Sequence, residues 1–152
     1  MDLRIKSKIS SLDALFLTAE SIDEEEIQGH FSKYLCVKTS GLLENYIKSQ
    51  VGDYVTSTSA QPTSSFVKSK IQRFTNIDYK KMTEFLSSFS SDWTEQFNKS
   101  LTDDLKSSLN AIISNRNNIA HGNNDSITMT NMKVHYANMK KIISILDNII
   151  KK

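Results

Sequence analysis

The longest helical pattern in the chain covers residues 24–55, EEEIQGHFSKYLCVKTSGLLENYIKSQVGDYV. Its apolar residues recur at steps of three and four, which is the spacing of a helix that buries one face. Those residues are Ile27, Phe31, Tyr34, Leu35, Leu42, Leu43, Tyr46, Ile47 and Tyr54. Asp23 followed by Glu26 has the spacing of a capping box, so we expect the helix to begin there. The pattern predicts one long helix, from about residue 24 to 55, with a bend near Gly41.

Helical periodicity continues on both sides of this segment, with one interruption. Residues 56–65, TSTSAQPTSS, are of low complexity, and we expect them to form a surface loop. Within them Pro62 favours the start of a short helix. The remaining predicted helices are one through Ile5 to Ile22, one capped by Asn76 or Asp78, a short one around Trp93 and Phe97, one from about residue 102 to Gly122, and one starting near Thr128 or Thr130. No segment alternates with period two for long enough to predict a strand.

The composition supports the same fold class. The chain has 152 residues, enough for one domain with its own core, and we expect residues 1–152 to form a single domain. Only 4 Gly and 1 Pro are present, and this shortage of turn-forming residues argues against a many-stranded sandwich or barrel. The prediction is an all-α fold, an antiparallel helical bundle with a few short extra helices.

Charge, cysteine content and missing motifs exclude several function classes. The net charge is only +2, so any contact with nucleic acid must be local. The single Cys36 can form neither an internal disulfide nor a thiolate metal site. Because the chain has no Gly-rich phosphate loop, GxSxG or HExxH motif, we expect no metal and no cofactor. No apolar run reaches membrane-spanning length and the N-terminus is no signal peptide, so we expect no membrane contact and a cytoplasmic location.

One polar segment interrupts the apolar pattern, ISNRNNIAHG at residues 113–122. The last two turns of a predicted helix carry Asn115, Arg116, Asn117, Asn118 and His121, most of which have low helix propensity. Asn117 and His121 share a face, and Arg116 lies about 140° around the helix from His121. Its long side chain would still bring a bidentate phosphate donor beside a group that titrates near neutrality. Alternatively, Arg and His are ordinary residues of a helix C-terminus, where positive charge is favoured.

The form RNNIAHG at residues 116–122, at the end of a late helix, resembles the signature of HEPN domains. Two further segments resemble the RiboL-PSP-type branch of that family, SGLLENYIKSQV at residues 40–51 and IQRFTNIDYKKMTEFLSSF at residues 71–89. The resemblance extends from about residue 30 to the end of the chain. It implies a small all-α domain of the kind found in prokaryotic toxins, antiviral systems and RNA-processing enzymes.

The resemblance also implies an activity, that of a metal-independent endoribonuclease working as a homodimer. The Arg and His of two protomers would meet in one cleft. Carried onto this chain, these residues are Arg116 and His121, with Asn117 orienting one of them. The chemistry agrees, because attack of a ribose 2′-OH on the adjacent phosphate needs a base and an acid, and a two-fold dimer offers two imidazoles. Two Arg side chains would stabilise the charge on the phosphorane without a metal.

Glu44 is a further candidate, since it lies on the long helix among apolar residues. One interpretation is that its carboxylate supports the site by orienting Arg116 or His121. The other is a solvated helix face or an ordinary ion pair with Lys48, one turn further along the helix.

Two classes of function follow from these observations. The first is an RNase that acts as the toxin or effector of a toxin–antitoxin or antiviral defence system. Its partners would be RNA, a second copy of the chain, and an antitoxin or another defence protein. The alternative is a non-catalytic HEPN module for dimerisation or for binding RNA or protein. Such relatives usually lack the Arg or the His, so the presence of both favours the enzyme.

Overall fold

A computed structural model describes residues 1–151 and contains seven helices within them, joined by short connections. They are α1 (Leu3–Glu20), α2 (Glu25–Thr58), α3 (Gln61–Ile71), α4 (Tyr79–Phe89), α5 (Ser91–Ser100), α6 (Asp103–Ala120) and α7 (Met129–Ile150). The residues described include no strand, which confirms the all-α prediction. None of these helices has the length and apolar character that crossing a membrane requires.

The long helix α2 is the centre of the fold. It contacts α1, α3, α6 and α7, and α7 in turn contacts α6 and α5. Its buried residues include Leu35, Leu43, Tyr46 and Ile47, all completely inaccessible. The Tyr46 hydroxyl donates a hydrogen bond to Asp147 of α7 (3.4 Å). The elements that carry the polar segment 113–122 are therefore packed against the middle of the bundle.

The prediction of a surface loop at residues 56–65 is wrong. Helix α2 continues to Thr58 and α3 begins at Gln61, so only Ser59 and Ala60 separate them. The hydroxyls of Thr56, Thr58 and Ser59 donate to the carbonyls of the preceding helical turn, at 2.6–2.7 Å. These bonds let hydroxyl side chains, which usually favour turns, end a helix instead. Pro62 lies in the first turn of α3, as predicted.

The helix starts agree with the sequence in two places and differ in one. Asp78 caps α4 by accepting a hydrogen bond from the Lys81 amide (2.8 Å). Thr128 caps α7 in a capping box with Asn131. The capping box expected from Asp23 is wrong, because the residue at the N-cap of α2 is Glu24, whose side chain makes no capping bond. The helix dipole still favours Glu25 and Glu26 in its first turn.

Candidate functional site

The end of α6 is fixed by a glycine in the left-handed conformation. Gly122 has a φ of +69°, and the amide of Asn123 donates to the Asn118 carbonyl (2.8 Å) while that of Gly122 donates to the Ile119 carbonyl (3.3 Å). This pair of bonds is the Schellman motif. It makes His121 the C-cap residue, since its own amide still donates to the Asn117 carbonyl (3.0 Å). The exposed imidazole of His121 is thus carried on the last residue of a well-defined helix end.

The connection between α6 and α7 is anchored by Asn115, which is 6% exposed. Its side-chain amide donates to the Ala111 carbonyl (2.9 Å), and its Oδ1 accepts from the amide (2.8 Å) and the hydroxyl of Ser126 (3.2 Å). The sequence placed Asn115 with the polar residues of the candidate site. Its hydrogen bonds give it a structural role instead, because it satisfies the backbone of the loop that follows His121.

The same loop is tied to α2. Lys33 forms an ion pair with Asp125 (3.2 Å), whose side chain is 6% exposed and also accepts from the Ile127 amide (3.0 Å). Further along α2, the Cys36 thiol lies 3.5 Å from the Ile112 carbonyl. Burial raises the pKa of Cys36 to about 12, so the thiol is neutral at ordinary pH. The first half of α2 therefore lies along the C-terminal half of α6.

Arg116 occupies a position that favours anion binding. It continues the buried row of Leu105, Leu109 and Ile112 by one helical turn, and it is half-buried. Its Nη1 donates to Oδ1 of Asn117 (3.3 Å), and no carboxylate within residues 1–151 lies within 4.0 Å of the guanidinium. A guanidinium has five N–H donors, so most of them remain available. A partly desolvated cation without an acidic partner attracts an anion more strongly than a fully hydrated one.

The candidate residues are brought together in part. Arg116 and Asn117 are directly hydrogen-bonded, and His121 lies on the same helix end. No side-chain hydrogen bond joins His121 to either of them in the described part of the chain. The last two turns of α6 thus carry an exposed imidazole and a half-buried guanidinium that are not bonded to each other.

Glu44 has a different partner from either one expected. Its Oε1 accepts a hydrogen bond from the Asn76 amide (3.0 Å), and Asn76 has a φ of +53°. Within the described residues it makes no ion pair with Lys48 and no hydrogen bond with Arg116 or His121. Eight residues of α2, about 12 Å of helix, separate it from Cys36 at the α6 contact. The contact that the structure gives Glu44 stabilises the turn before α4.

The other two histidines are structural or solvated. His135 Nδ1 lies 2.9 Å from the Ser108 hydroxyl, which also accepts from the Asn138 amide (2.8 Å). Burial lowers the pKa of His135, so this network holds a neutral imidazole. His30 is exposed on α2 and lies 3.9 Å from Glu26. Among residues 1–151, no three His, Cys, Asp or Glu side chains are grouped so that they would hold a metal ion.

Comparison with known protein families places the chain in a family. The family model described as RiboL-PSP-HEPN matches residues 3–152. No curated protein and no solved structure matches the chain. The match begins well before residue 30, where the resemblance visible in the sequence started, and therefore includes α1 and the whole of α2.

Proposed function

This chain belongs to the RiboL-PSP-HEPN family, and we propose that it is a metal-independent endoribonuclease whose reaction is carried by Arg116 and His121. The observation that carries the proposal is the half-buried guanidinium of Arg116, which has no acidic partner among residues 1–151 and lies on the helix end that presents His121. Buried cations in folded proteins are normally paired. A cation without an acidic partner in the described part of the chain, on the same helix end as an exposed imidazole, is suited to an anionic substrate.

The proposed reaction is transesterification. The 2′-oxygen of a ribose attacks the adjacent phosphorus as a base takes its proton, and the bond from phosphorus to the 5′-oxygen breaks as an acid protonates the leaving oxygen. The products are a 2′,3′-cyclic phosphate and a 5′-hydroxyl. Because DNA lacks the 2′-OH, only RNA can react in this way. His121 is assigned to proton transfer, the role that imidazole side chains most often take in such reactions.

Arg116 is assigned to the scissile phosphate. A planar guanidinium forms two parallel hydrogen bonds with phosphate oxygens, and these strengthen as charge develops in the phosphorane. Asn117 is assigned a positioning role, supported by its hydrogen bond to Arg116 Nη1. Glu44 is retained as a supporting candidate only. A Glu44→Gln variant with an altered pH–rate profile would support that role, and an unchanged profile would leave its bond to Asn76 as its whole function.

The proposed active unit is a homodimer, because one chain provides a single imidazole at this helix end and the reaction uses an acid and a base. A two-fold axis near the α6 C-terminus would supply the second. Mixing wild type with a growing excess of His121→Ala protein tests the sharing of residues. A mixed dimer holds one imidazole instead of two, so activity should fall more steeply than the dilution of wild type alone, and a fall in simple proportion to the dilution would contradict the shared site. Only monomer in sedimentation at micromolar concentration would contradict the composite site.

We propose that this RNase acts as the toxin or effector of a toxin–antitoxin or antiviral defence system. The support for this assignment is the family membership together with the presence of both Arg116 and His121. Co-expression with the product of the neighbouring gene should relieve growth arrest caused by the wild type. If the wild type causes no arrest, the toxin assignment fails while the RNase proposal still stands.

The variant experiment uses a mixed pool of tRNA and mRNA in EDTA. Wild type should give discrete cuts, and Arg116→Ala and His121→Ala should each lose them. Arg73→Ala and His30→Ala are matched controls, since both remove an exposed side chain of the same type elsewhere on the protein, and both should cut like wild type. Absence of cutting by the folded wild type would favour the alternative, a non-catalytic module for dimerisation or binding.

A further inference from the structure

A groove runs between α1 and α2 on the surface. It encloses about 360 Å³, a volume typical of small-ligand sites. Its floor is apolar, with Leu12, Leu15 and Leu42, and its rims carry Lys8 and Lys38. The two helices are antiparallel, because Ser49 of α2 donates to Asp2 at the start of α1 (2.9 Å) and Gln28 of α2 donates to the Ala19 carbonyl near its end (3.1 Å).

The charged side chains that line this groove are both positive. Lys8 and Lys38 are both exposed, and no carboxylate of residues 1–151 lies within 4.0 Å of either ammonium group. No acidic residue lines the groove. The neighbouring acid on α1, Asp13, is held by Tyr136 (2.6 Å) and Lys140 (3.0 Å) of α7 instead. A positive rim over an apolar floor complements a ligand that has anionic groups along an apolar body.

An exposed aromatic ring lies beside one end of the groove. Tyr34 is 47% exposed, lies one helical turn from Val37 and Lys38, and has the Lys38 ammonium 5.7 Å from its ring centre. Phe31 packs edge-on against it, with ring centres 5.7 Å apart, and so supports the ring. Val37, itself 38% exposed, continues the apolar surface into the groove. Exposed aromatic rings next to cations are the usual platform for unpaired bases.

The aromatic end of the groove lies at the level of α2 that contacts the end of α6. Lys33, adjacent to Tyr34 in the sequence, forms its ion pair with Asp125 in the connection that follows His121. Asn45, at the opposite end of the groove, lies about 17 Å further along α2 than Tyr34. Tyr34 is therefore at the end of the groove that is closer, along α2, to the helix end carrying Arg116 and His121.

We propose that this groove binds single-stranded RNA on one side of the scissile phosphate, with phosphates on Lys8 and Lys38 and an unpaired base stacked on Tyr34. The inference rests on the proposed RNase function and specifies its substrate as unpaired RNA. Duplex RNA does not fit, because its bases are already stacked and cannot lie on Tyr34 or on the apolar floor. The missing acidic residues argue against a peptide with basic groups.

The test compares Lys8→Gln/Lys38→Gln with Lys68→Gln/Lys70→Gln, a control of equal net charge whose lysines are exposed on α3. Binding of a single-stranded oligonucleotide is measured over a salt series. Losing two phosphate contacts should lower the slope of log K against log salt by about 1.4, because each contact contributes about 0.7 for a single strand. The control pair should keep the wild-type slope.

Tyr34 is tested by two substitutions. Tyr34→Ala should weaken oligonucleotide binding roughly 5- to 140-fold, the range expected for loss of one stacked base, and Tyr34→Phe should retain it. The proposal would be overturned if wild type, the Lys8→Gln/Lys38→Gln variant (the groove pair) and Tyr34→Ala all bound the oligonucleotide equally. Loss of self-association in the groove pair would overturn it as well, because the groove would then be a protein interface.

Cleavage of a dinucleotide separates this inference from the proposed function. A dinucleotide reaches Arg116 and His121 without entering the groove, so the Lys8→Gln/Lys38→Gln pair should cut it at the wild-type rate and cut the longer strand with a raised KM. If wild type cuts neither substrate, the RNase proposal fails. If wild type cuts both and the groove pair does too with unchanged KM, only the groove inference fails.

Discussion

Replacing Gly122 by Ala should destabilise the protein through the backbone alone. A Cβ built at Gly122 meets no atom within 4 Å, so the substitution causes no steric clash. The destabilisation comes from the φ of +69°, because a residue with a Cβ costs about 1–2 kcal/mol in this left-handed conformation. If the backbone relaxes instead, the bonds from Gly122 and Asn123 to the end of α6 are lost, each about 0.5–1.5 kcal/mol. Both routes predict a loss of about 1–3 kcal/mol.

The assay is urea unfolding at neutral pH, with the midpoint and the slope fitted separately. The slope should stay constant, because the substitution leaves the buried surface unchanged. Gly29→Ala is the matched control, since Gly29 lies inside α2 with open space around its Cα, where Ala should stabilise by about 0.5–1 kcal/mol. Replacing Gly by Ala should thus lower the free energy of unfolding at position 122 and raise it at position 29. A Gly122→Ala protein as stable as wild type, or more stable, would refute the left-handed helix end.

Three further predictions follow from buried polar groups. Asn115→Ala should lower the free energy of unfolding by about 1–3 kcal/mol in urea, because the Ser126 amide loses its acceptor; a neutral result would contradict the anchoring role. The pKa of His135 is lowered in the folded state, so the unfolded chain takes up a proton at higher pH than the folded one. Wild type should therefore lose stability as the pH falls below about 6.5, with a steeper decline than His135→Gln; parallel curves would refute the neutral imidazole. Cys36 should resist a thiol reagent at pH 8 until the protein is unfolded, and rapid labelling of the native state would contradict its burial.

Periodicity was sufficient for the helices but not for their ends at hydroxyl-rich sequence. The stretch at residues 56–65 has the composition of a loop, yet its hydroxyls bond back to helical carbonyls and Ser64 is buried. Composition alone cannot distinguish a hydroxyl that caps a turn from one that bonds within a helix. Asp78 and Thr128 were among the N-caps that the sequence offered, because a capping bond joins close neighbours in the chain, although the same rule failed at Asp23.

The candidate site was predictable where it depends on local geometry. The apolar pattern ends just before Gly122, so the end of the helix could be predicted there, and with it the location of His121 at the C-cap. The partners of Asn115 and Glu44 were not predictable, because Ser126 and Asn76 reach them through the tertiary fold. That no carboxylate of residues 1–151 pairs with Arg116 was equally unpredictable, since it depends on which side chains the fold brings near.

The most direct test of the proposed chemistry uses a DNA strand that contains a single ribonucleotide, incubated with wild-type protein in EDTA. We predict one cut, on the 3′ side of the ribose, leaving a 2′,3′-cyclic phosphate and a 5′-hydroxyl. A 2′-O-methyl group on that ribose should abolish the cut, and so should His121→Ala. Cutting of the methylated strand, or of the all-DNA strand, would contradict attack by the 2′-oxygen and with it the roles assigned to Arg116 and His121.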